Sequence, residues 1–325
     1  MNTQQLEYVL MIEKEKSFSV AAEKLFITQP SLSQYISKLE KQLGTMLFDR
    51  STKPLSLTPS GQAYVTAAKE ILRMERELTG KIAELENIEA GNLRIGAVSY
   101  HSSYLLPESI VAFHKKYPGI TITIIEDGLG KLYEMLREGS IDLIVASEKI
   151  LPLDFDVEVL AEEKVYLAIP DNFLSSHEFE DYKLTGKDIL QESERYLFSK
   201  DINLRKCPKM PFILSDASDE EQTQLVKLYE ALPIDISMTI HVSSKTAAFS
   251  YAVAGVGACL VTDSFICHGN IKKHPGYYSL PDDIAKLYIC MIMRRQEQLP
   301  KAVRAYGQVL KDLVAIGTWR RMNND

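Results

Sequence analysis

Thr28, Gln29, Ser31, Ser33, Gln34, Ser37 and Lys38, with Pro30 among them, crowd short hydrogen-bonding groups and one cation into a single segment. Their chemistry suits the edges of DNA bases. Gln pairs with adenine through both amide atoms, Ser meets a base edge or a phosphate, and Lys takes phosphate or guanine. Downstream, Arg50 and Lys53 flank a turn and are placed for phosphate or minor-groove contact. A second polar set, Ser99-Tyr100-His101-Ser102-Ser103, follows an apolar run, and Ser147 and Ser243 stand at comparable places. Hydroxyls beside the free N–H groups of a helix start suit an anion or a carboxylate. The same serines also serve as caps and turn formers, and either reading fits the residues alone. The six histidines are scattered and no Cys-x-x-Cys occurs, so no metal site is expected. No Gly-x-x-x-x-Gly-Lys, Gly-x-Ser-x-Gly or His-Glu-x-x-His appears, so neither an enzyme nor a cofactor is expected.

The elements that must carry the first set follow from spacing. Leu6, Val9, Leu10 and Ile12 predict an amphipathic helix over 3–15. Ser19 reads as the N-cap of a short helix from Val20 to Phe26, with Ala21, Ala22 and Leu25 buried. After the break at Ile27-Thr28-Gln29, Pro30 suits a first helical position. From there Leu32, Ile36, Leu39 and Leu43 mark one face of a helix that Gly44 ends. Two helices joined by a tight turn form the helix-turn-helix pattern. The polar face of the second is then either a groove-reading surface or an ordinary solvated face. The Leu55/Leu57 alternation reads as a short strand, a small wing carrying Arg50 and Lys53. Thr58 caps a further helix that opens at Pro59 and runs to about Ile88, roughly 45 Å at about 1.5 Å per residue. Its apolar stripe, Tyr64, Ala67, Ile71, Met74 and Leu78, must pack either on its own domain or on the same helix of a second chain.

At this point the sequence resembles the LysR-type transcriptional regulators. The resemblance rests on Phe18-Ser19-Val20-Ala21-Ala22-Glu23-Lys24-Leu25, Thr28-Gln29-Pro30-Ser31-Leu32-Ser33, Ile36, Leu39-Glu40, Leu43-Gly44, Leu47-Phe48-Asp49-Arg50 and Leu57-Thr58-Pro59-Ser60-Gly61. It implies that Gln29, Pro30, Ser31, Ser33 and Gln34 enter the major groove, with Lys53 in the wing. Ser19, Thr28, Ser37, Lys38 and Arg50 complete the expected DNA-binding set. It also implies a linker helix that makes a homodimer, a tetramer built from such dimers, and RNA polymerase as a further partner.

The rest of the chain alternates short branched-apolar runs (Leu93 to Val98, Ile120 to Ile125, Ile141 to Ala146) with helical patterns (Tyr104 to Tyr117, Leu129 to Glu138). Such alternation predicts βαβ units and a mostly parallel sheet. The resemblance continues loosely here and implies two α/β lobes like a periplasmic binding protein around an effector cleft. The expected organisation is a winged helix-turn-helix over 1–58, a linker helix over 59–90 and a regulatory domain over 91–325. Within that domain, lobe I takes 91–160 and 269–325, and lobe II takes 161–268. Ligands in open α/β sheets sit beyond the carboxyl ends of strands. The expected effector set is therefore Ser99, Tyr100, His101, Ser102, Ser103, Ser147 and Ser243. Leu129 joins it as a position where family members often carry a small hydroxyl residue. The expected effector is a small organic, anionic molecule.

Length and charge bound these readings. At 325 residues, 25% charged and 46% hydrophobic, the chain suits about two soluble globular domains. The longest apolar stretch, Tyr251 to Val261, falls short of the ~20 residues of a membrane span, and Met1 to Lys16 reads as an amphipathic helix rather than a leader, so no membrane partner is expected. Four scattered cysteines suit reduced thiols in a cytoplasmic protein. Cys259 with Cys267 suggests either a redox sensor or simple burial. A net charge of −7 argues against nucleic acid, yet residues 1–60 carry seven Lys/Arg against six Asp/Glu, a net +1. The alternative to a regulator is a solute-binding module that reads no DNA.

Overall fold

The computed structural model describes residues 3–52, 54–85, 91–148, 151–174, 177–215, 238–242, 244–268, 274–295 and 299–315. The chain divides into two compact units, residues 1–87 and 88–325.

In the first unit, α1 (Thr3–Glu15), α2 (Phe18–Lys24) and α3 (Gln29–Leu43) precede a two-stranded antiparallel wing, β1 (Phe48–Asp49) with β2 (Ser56–Leu57). The long α4 (Pro59–Leu85) follows. Val9, Ile12, Ala21, Ala22, Leu32, Ile36, Leu39, Leu47, Phe48 and Val65 form its core, the faces that helical spacing selects. Two caps differ from expectation. Lys16 takes a left-handed φ of 48°, which leaves Ser17 extended just before α2. Ser17, not Ser19, therefore accepts the Val20 N–H on its Oγ at 3.4 Å, and Ser19 lies exposed in the first turn. At α3, Thr28 Oγ1 accepts the Ser31 N–H, so the helix opens at Gln29 with Pro30 second. Gly44, at φ 69°, closes it where a side chain would be strained. Thr58 caps α4 as expected, accepting Gly61 N–H at 3.0 Å.

The second unit opens with β3 (Gly91–Ala97), α5 (Ser99–Tyr104), α6 (Leu106–Lys116), β4 (Ile120–Glu126), α7 (Leu129–Arg137) and β5 (Leu143–Glu148). These three strands are parallel in the order β4-β3-β5. The fifteen-residue β6 (Phe155–Ile169) comes next, then β7 (Lys183–Leu184), α8 (Gly186–Leu190), α9 (Glu194–Leu197), β8 (Phe212–Ser215), β9 (Thr239–Val242), α10 (Lys245–Val253), β10 (Cys259–Thr262) and α11 (Asp263–His268). The chain continues through β11 (Gly276–Ser279), α12 (Asp282–Ala285), β12 (Lys286–Arg294) and α13 (Lys301–Ala315).

Two differences from the expected layout have a topological cause. The sheet is mixed rather than mostly parallel, because β12 runs antiparallel to both β5 and β6, and β10 and β11 run antiparallel to β6. Hydropathy marks a buried strand but not its partner's direction. The lobes also divide later than expected. The first part of β6 pairs with β12, and Val165 to Ile169 pair with β10 and β11. Strand β11, at 276–279, thus belongs to the second sheet, and the chain returns to the first at β12 rather than at residue 269. One core lies between the first sheet, α6 and α13 around Phe113 and Tyr306, and others flank the second sheet.

Candidate nucleic-acid interface and inter-lobe cleft

Helix α3 separates its two faces cleanly. Leu32, Ile36 and Leu39 are buried, while Thr28, Gln29, Pro30, Ser31, Gln34, Ser37 and Lys38 are exposed and Ser33 is half-buried beside them. Thr28 Oγ1 and Ser31 Oγ lie 2.8 Å apart, which orders the start of the helix. Tyr35 turns away and packs edge-on against Tyr8, with centroids 5.0 Å apart. Lys53 lies outside the described residues. The turn before α3 exposes Phe26 almost fully, at a left-handed φ of 56°.

Arg50 sits differently from a free phosphate contact. Its guanidinium donates to Glu40 Oε2 at 3.2 Å and to Ser37 Oγ at 3.4 Å, and it lies 5.0 Å over the Phe18 ring. Arg50 thereby joins α3 to the wing, with about two fifths of its side chain left in solvent. Glu40, 3% exposed, is the residue that spacing alone did not single out. Its Oε1 accepts the Leu47 N–H at 2.8 Å and the Phe48 N–H at 3.3 Å. One carboxylate thereby fixes the first strand of the wing against the helix. The signal available in the sequence was a charged residue on the buried stripe of α3.

On α4, Val65 and Ala68 are buried in the first unit, and Tyr64 packs against the same core. Ile71 is exposed, and Met74 and Leu78 are each 59% exposed.

In the second unit the carboxyl ends of β3 and β5 gather part of the expected polar set. His101, on α5 and 2% exposed, places Nε2 2.8 Å from Ser147 Oγ at the end of β5. Ser147 donates to Glu163 Oε2 at 2.5 Å, and Ser264, on α11, donates to Glu163 Oε1. Thr262 Oγ1 lies 3.0 Å from Ser264 Oγ. A hydroxyl has one proton to give. With the serine protons on Glu163, His101 Nε2–H must donate to Ser147 and Thr262 to Ser264. The chain of hydrogen bonds from both sides therefore points at Glu163. Burial, and secondarily the charge of Lys245, hold His101 down from 6.5 to about 3, so it is a neutral imidazole there.

Ser102 donates instead to Glu126 Oε1 at 2.5 Å, and Ser103 is exposed. Leu129 is buried with Val98, Leu132, Leu136 and Ile141. Ser99 and Tyr100 have described backbone only, within α5, and Ser243 lies outside the described residues. Sequence reading missed Glu163, Thr262 and Ser264, the last of which lies 101 residues from Glu163. Glu163 stands in β6 among Asp156, Glu158 and Glu162, so no sequence signal set it apart from its charged neighbours.

Cys259 is fully buried, which pushes its thiol up to about 12, and Cys267 is buried as well. Among the described residues no group of His, Cys, Asp and Glu is arranged to hold a metal, and no helix is long and apolar enough to cross a membrane.

Residues 3–62 match the family model of the bacterial regulatory helix-turn-helix protein, lysR family, and residues 87–315 match that of the LysR substrate binding domain. Among curated proteins, the Uncharacterized HTH-type transcriptional regulator YcgK of Bacillus subtilis is 35% identical over 170 residues, 52% of this chain and 52% of that one. A protein named Probable RuBisCO transcriptional regulator from Nostoc sp. is 25% identical over 98% of this chain and 90% of its own. The chain spans about half the length of the first of these relatives. Among solved structures, full-length OxyR from Pseudomonas aeruginosa matches with a TM-score of 0.60 and 22% identity, covering 96% of this chain and 98% of that one. Full-length CbnR complexed with its target DNA matches with a TM-score of 0.60 and 18% identity, covering 96% and 99%. At those identities the two structures are likenesses of fold.

Proposed function

Because this chain belongs to the LysR family of regulatory proteins, matched over both its units, we propose that it is a sequence-specific DNA-binding transcriptional regulator, controlled by a small molecule bound between the lobes. The observation that carries the reading is the exposed Ser and Gln face of α3, held in register with the wing by Glu40 and Arg50. That face is short and hydrogen-bonding, as groove reading requires, and Gln29, Pro30, Ser31, Ser33, Gln34 and Ser37 line it. Lys38 and Lys53 supply phosphate contacts together with Ser19 and Thr28, and Arg50 adds what its ion pair leaves free. With so few cations, binding relies on neutral donors and on several heads acting together.

The exposed stripe Ile71, Met74 and Leu78 is the dimer surface, two dimers make a tetramer, and RNA polymerase meets the DNA-bound assembly in the cytoplasm. The effector occupies the cleft beyond β3 and β5, near Ser99, Tyr100, His101, Ser102, Ser103, Ser147 and Ser243. It shifts the population of lobe arrangements and so the placement of the DNA-reading heads. No observation favours catalysis, and the burial of Cys259 weighs against thiol sensing.

A mobility-shift assay with DNA flanking the chain's own gene tests the reading. Salt-sensitive, sequence-selective retardation is expected, and Ser33→Ala/Gln34→Ala is expected to abolish the selectivity while leaving the circular dichroism spectrum unchanged. Retardation without selectivity, or none, leaves only a solute-binding module. Unchanged selectivity in the double variant removes α3 as the reading face.

A further inference from the structure

We infer that the inter-lobe cleft recognises its effector through Glu163, and that the effector presents a protonated amine or a similar cationic hydrogen-bond donor. This rests on the reading of the cleft as the effector site, and it replaces the anionic ligand that serines and helix starts had suggested. Glu163 is 2% exposed and sits where β6 passes from the first sheet to the second, opposite Leu287. Its two oxygens each accept one hydroxyl, from Ser147 of the first lobe and from Ser264 of the second. Among the described residues no Lys, Arg or His forms an ion pair with it. A carboxylate oxygen has two acceptor positions, so one on each oxygen is left for an incoming donor.

The hydrogen-bond polarity supports the same charge. His101 and Thr262 drive both serine protons toward Glu163, so the whole chain presents acceptor character at its centre. Asp263, also buried, accepts Lys164 N–H at 3.2 Å and Ser264 N–H at 2.8 Å, and Glu126 lies at the end of β4 beside Ser102. Against these stand two lysines. Lys164 Nζ is 3.6 Å from Asp282, and Lys245 acts on His101, which is itself neutral. An anion placed here would face Glu163 across a weakly polar medium, where like charges repel strongly. A cation would instead supply the missing partner of a buried carboxylate. Helix α5, six residues long, is too short to reverse that balance. Because Glu163 is tied to both lobes, an amine that displaces Ser147 or Ser264 alters the tie between them, which gives binding a route to lobe placement.

Thermal unfolding of the full chain with size-matched probes tests this. Butylamine, 1,4-diaminobutane and 4-aminobutanol form one arm, and butyrate and succinate the other, at equal ionic strength. At least one amine is expected to raise Tm with dose while the carboxylates do not. Glu163→Gln is expected to weaken that amine at least tenfold, and Glu163→Asp, which keeps the charge, to retain part of the response. Stabilisation by the carboxylates, no response to either arm, or an undiminished amine response in Glu163→Gln each overturns the inference. Where Glu163→Gln loses its folded spectrum, the charge comparison on the unsubstituted chain and the Glu163→Asp response decide. Sequence-selective DNA retardation, measured on the same preparation, reports separately on the regulator reading.

Discussion

Removing the Glu40 carboxylate is the sharpest probe of how α3 and the wing hold together. Glu40→Ala deletes the acceptor of two buried backbone N–H groups, those of Leu47 and Phe48, and strands the Arg50 guanidinium. An unpaired buried N–H costs about 1–3 kcal/mol, and the longer Phe48 bond belongs at the low end of that range. The ion pair adds little, about 0–1 kcal/mol, because Arg50 is partly solvated. A loss of about 3 kcal/mol results, concentrated in the segment from Leu47 to Asp49. Glu40→Gln keeps an amide oxygen for the same N–H groups and is expected to cost about 1 kcal/mol. Hydrogen exchange of the full chain, followed by mass spectrometry in peptides over 45–58, reads the effect locally. At 1.4 kcal/mol per decade, Glu40→Ala should exchange there about a hundredfold faster, with the second unit as internal reference. DNA retardation should weaken in parallel, since the wing loses its register against α3. Unchanged protection at Leu47 and Phe48 would refute the reasoning.

Gly61→Ala would place a Cβ 1.9 Å from the Leu47 carbonyl oxygen, so it is expected to destabilise the first unit by about 3 kcal/mol, measured by loss of helical signal on heating. His101 gives a pH dependence. Its native imidazole stays neutral down to about 3, whereas the unfolded chain takes up a proton below 6.5, so stability falls as pH drops through 6.5. Between about pH 7.5 and about 5.5 its contribution to the loss is about 1.4 kcal/mol, and equal pH dependence in urea unfolding of His101→Gln would refute it. Met74→Asp/Leu78→Asp should leave the monomer folded but shift sedimentation toward it, and an unchanged assembly would exclude that stripe as the contact. Cys259 should resist thiol reagents until the chain unfolds, and rapid labelling at neutral pH would contradict its burial.

Local pattern carried much of the layout. Leu32, Ile36 and Leu39 marked the buried face of α3, Gly44 marked its end, and branched-apolar runs marked β3, β4 and β5 within two or three residues. These features depend on neighbours three or four residues away, or on alternation, and a linear pattern records both. The α2 cap escaped because a left-handed Lys16 moved the helix start, and a lysine gives no sign of that backbone state. Strand direction and the true lobe boundary escaped because β12 and β11 find partners through the whole fold.

The amino-acid sequence by itself determined the helix-turn-helix, its exposed polar face, the alternation of strands and helices, and the family. Tertiary structure alone decided what the charged residues inside those elements do. Glu40 became a clamp only when the chain turned Leu47 and Phe48 back onto it. Glu163 became the centre of a buried hydrogen-bond network only when β5 and α11 brought Ser147 and Ser264 to its two oxygens. Hydrophobic periodicity places a buried carboxylate without naming its partners. Those partners come from distant parts of the chain.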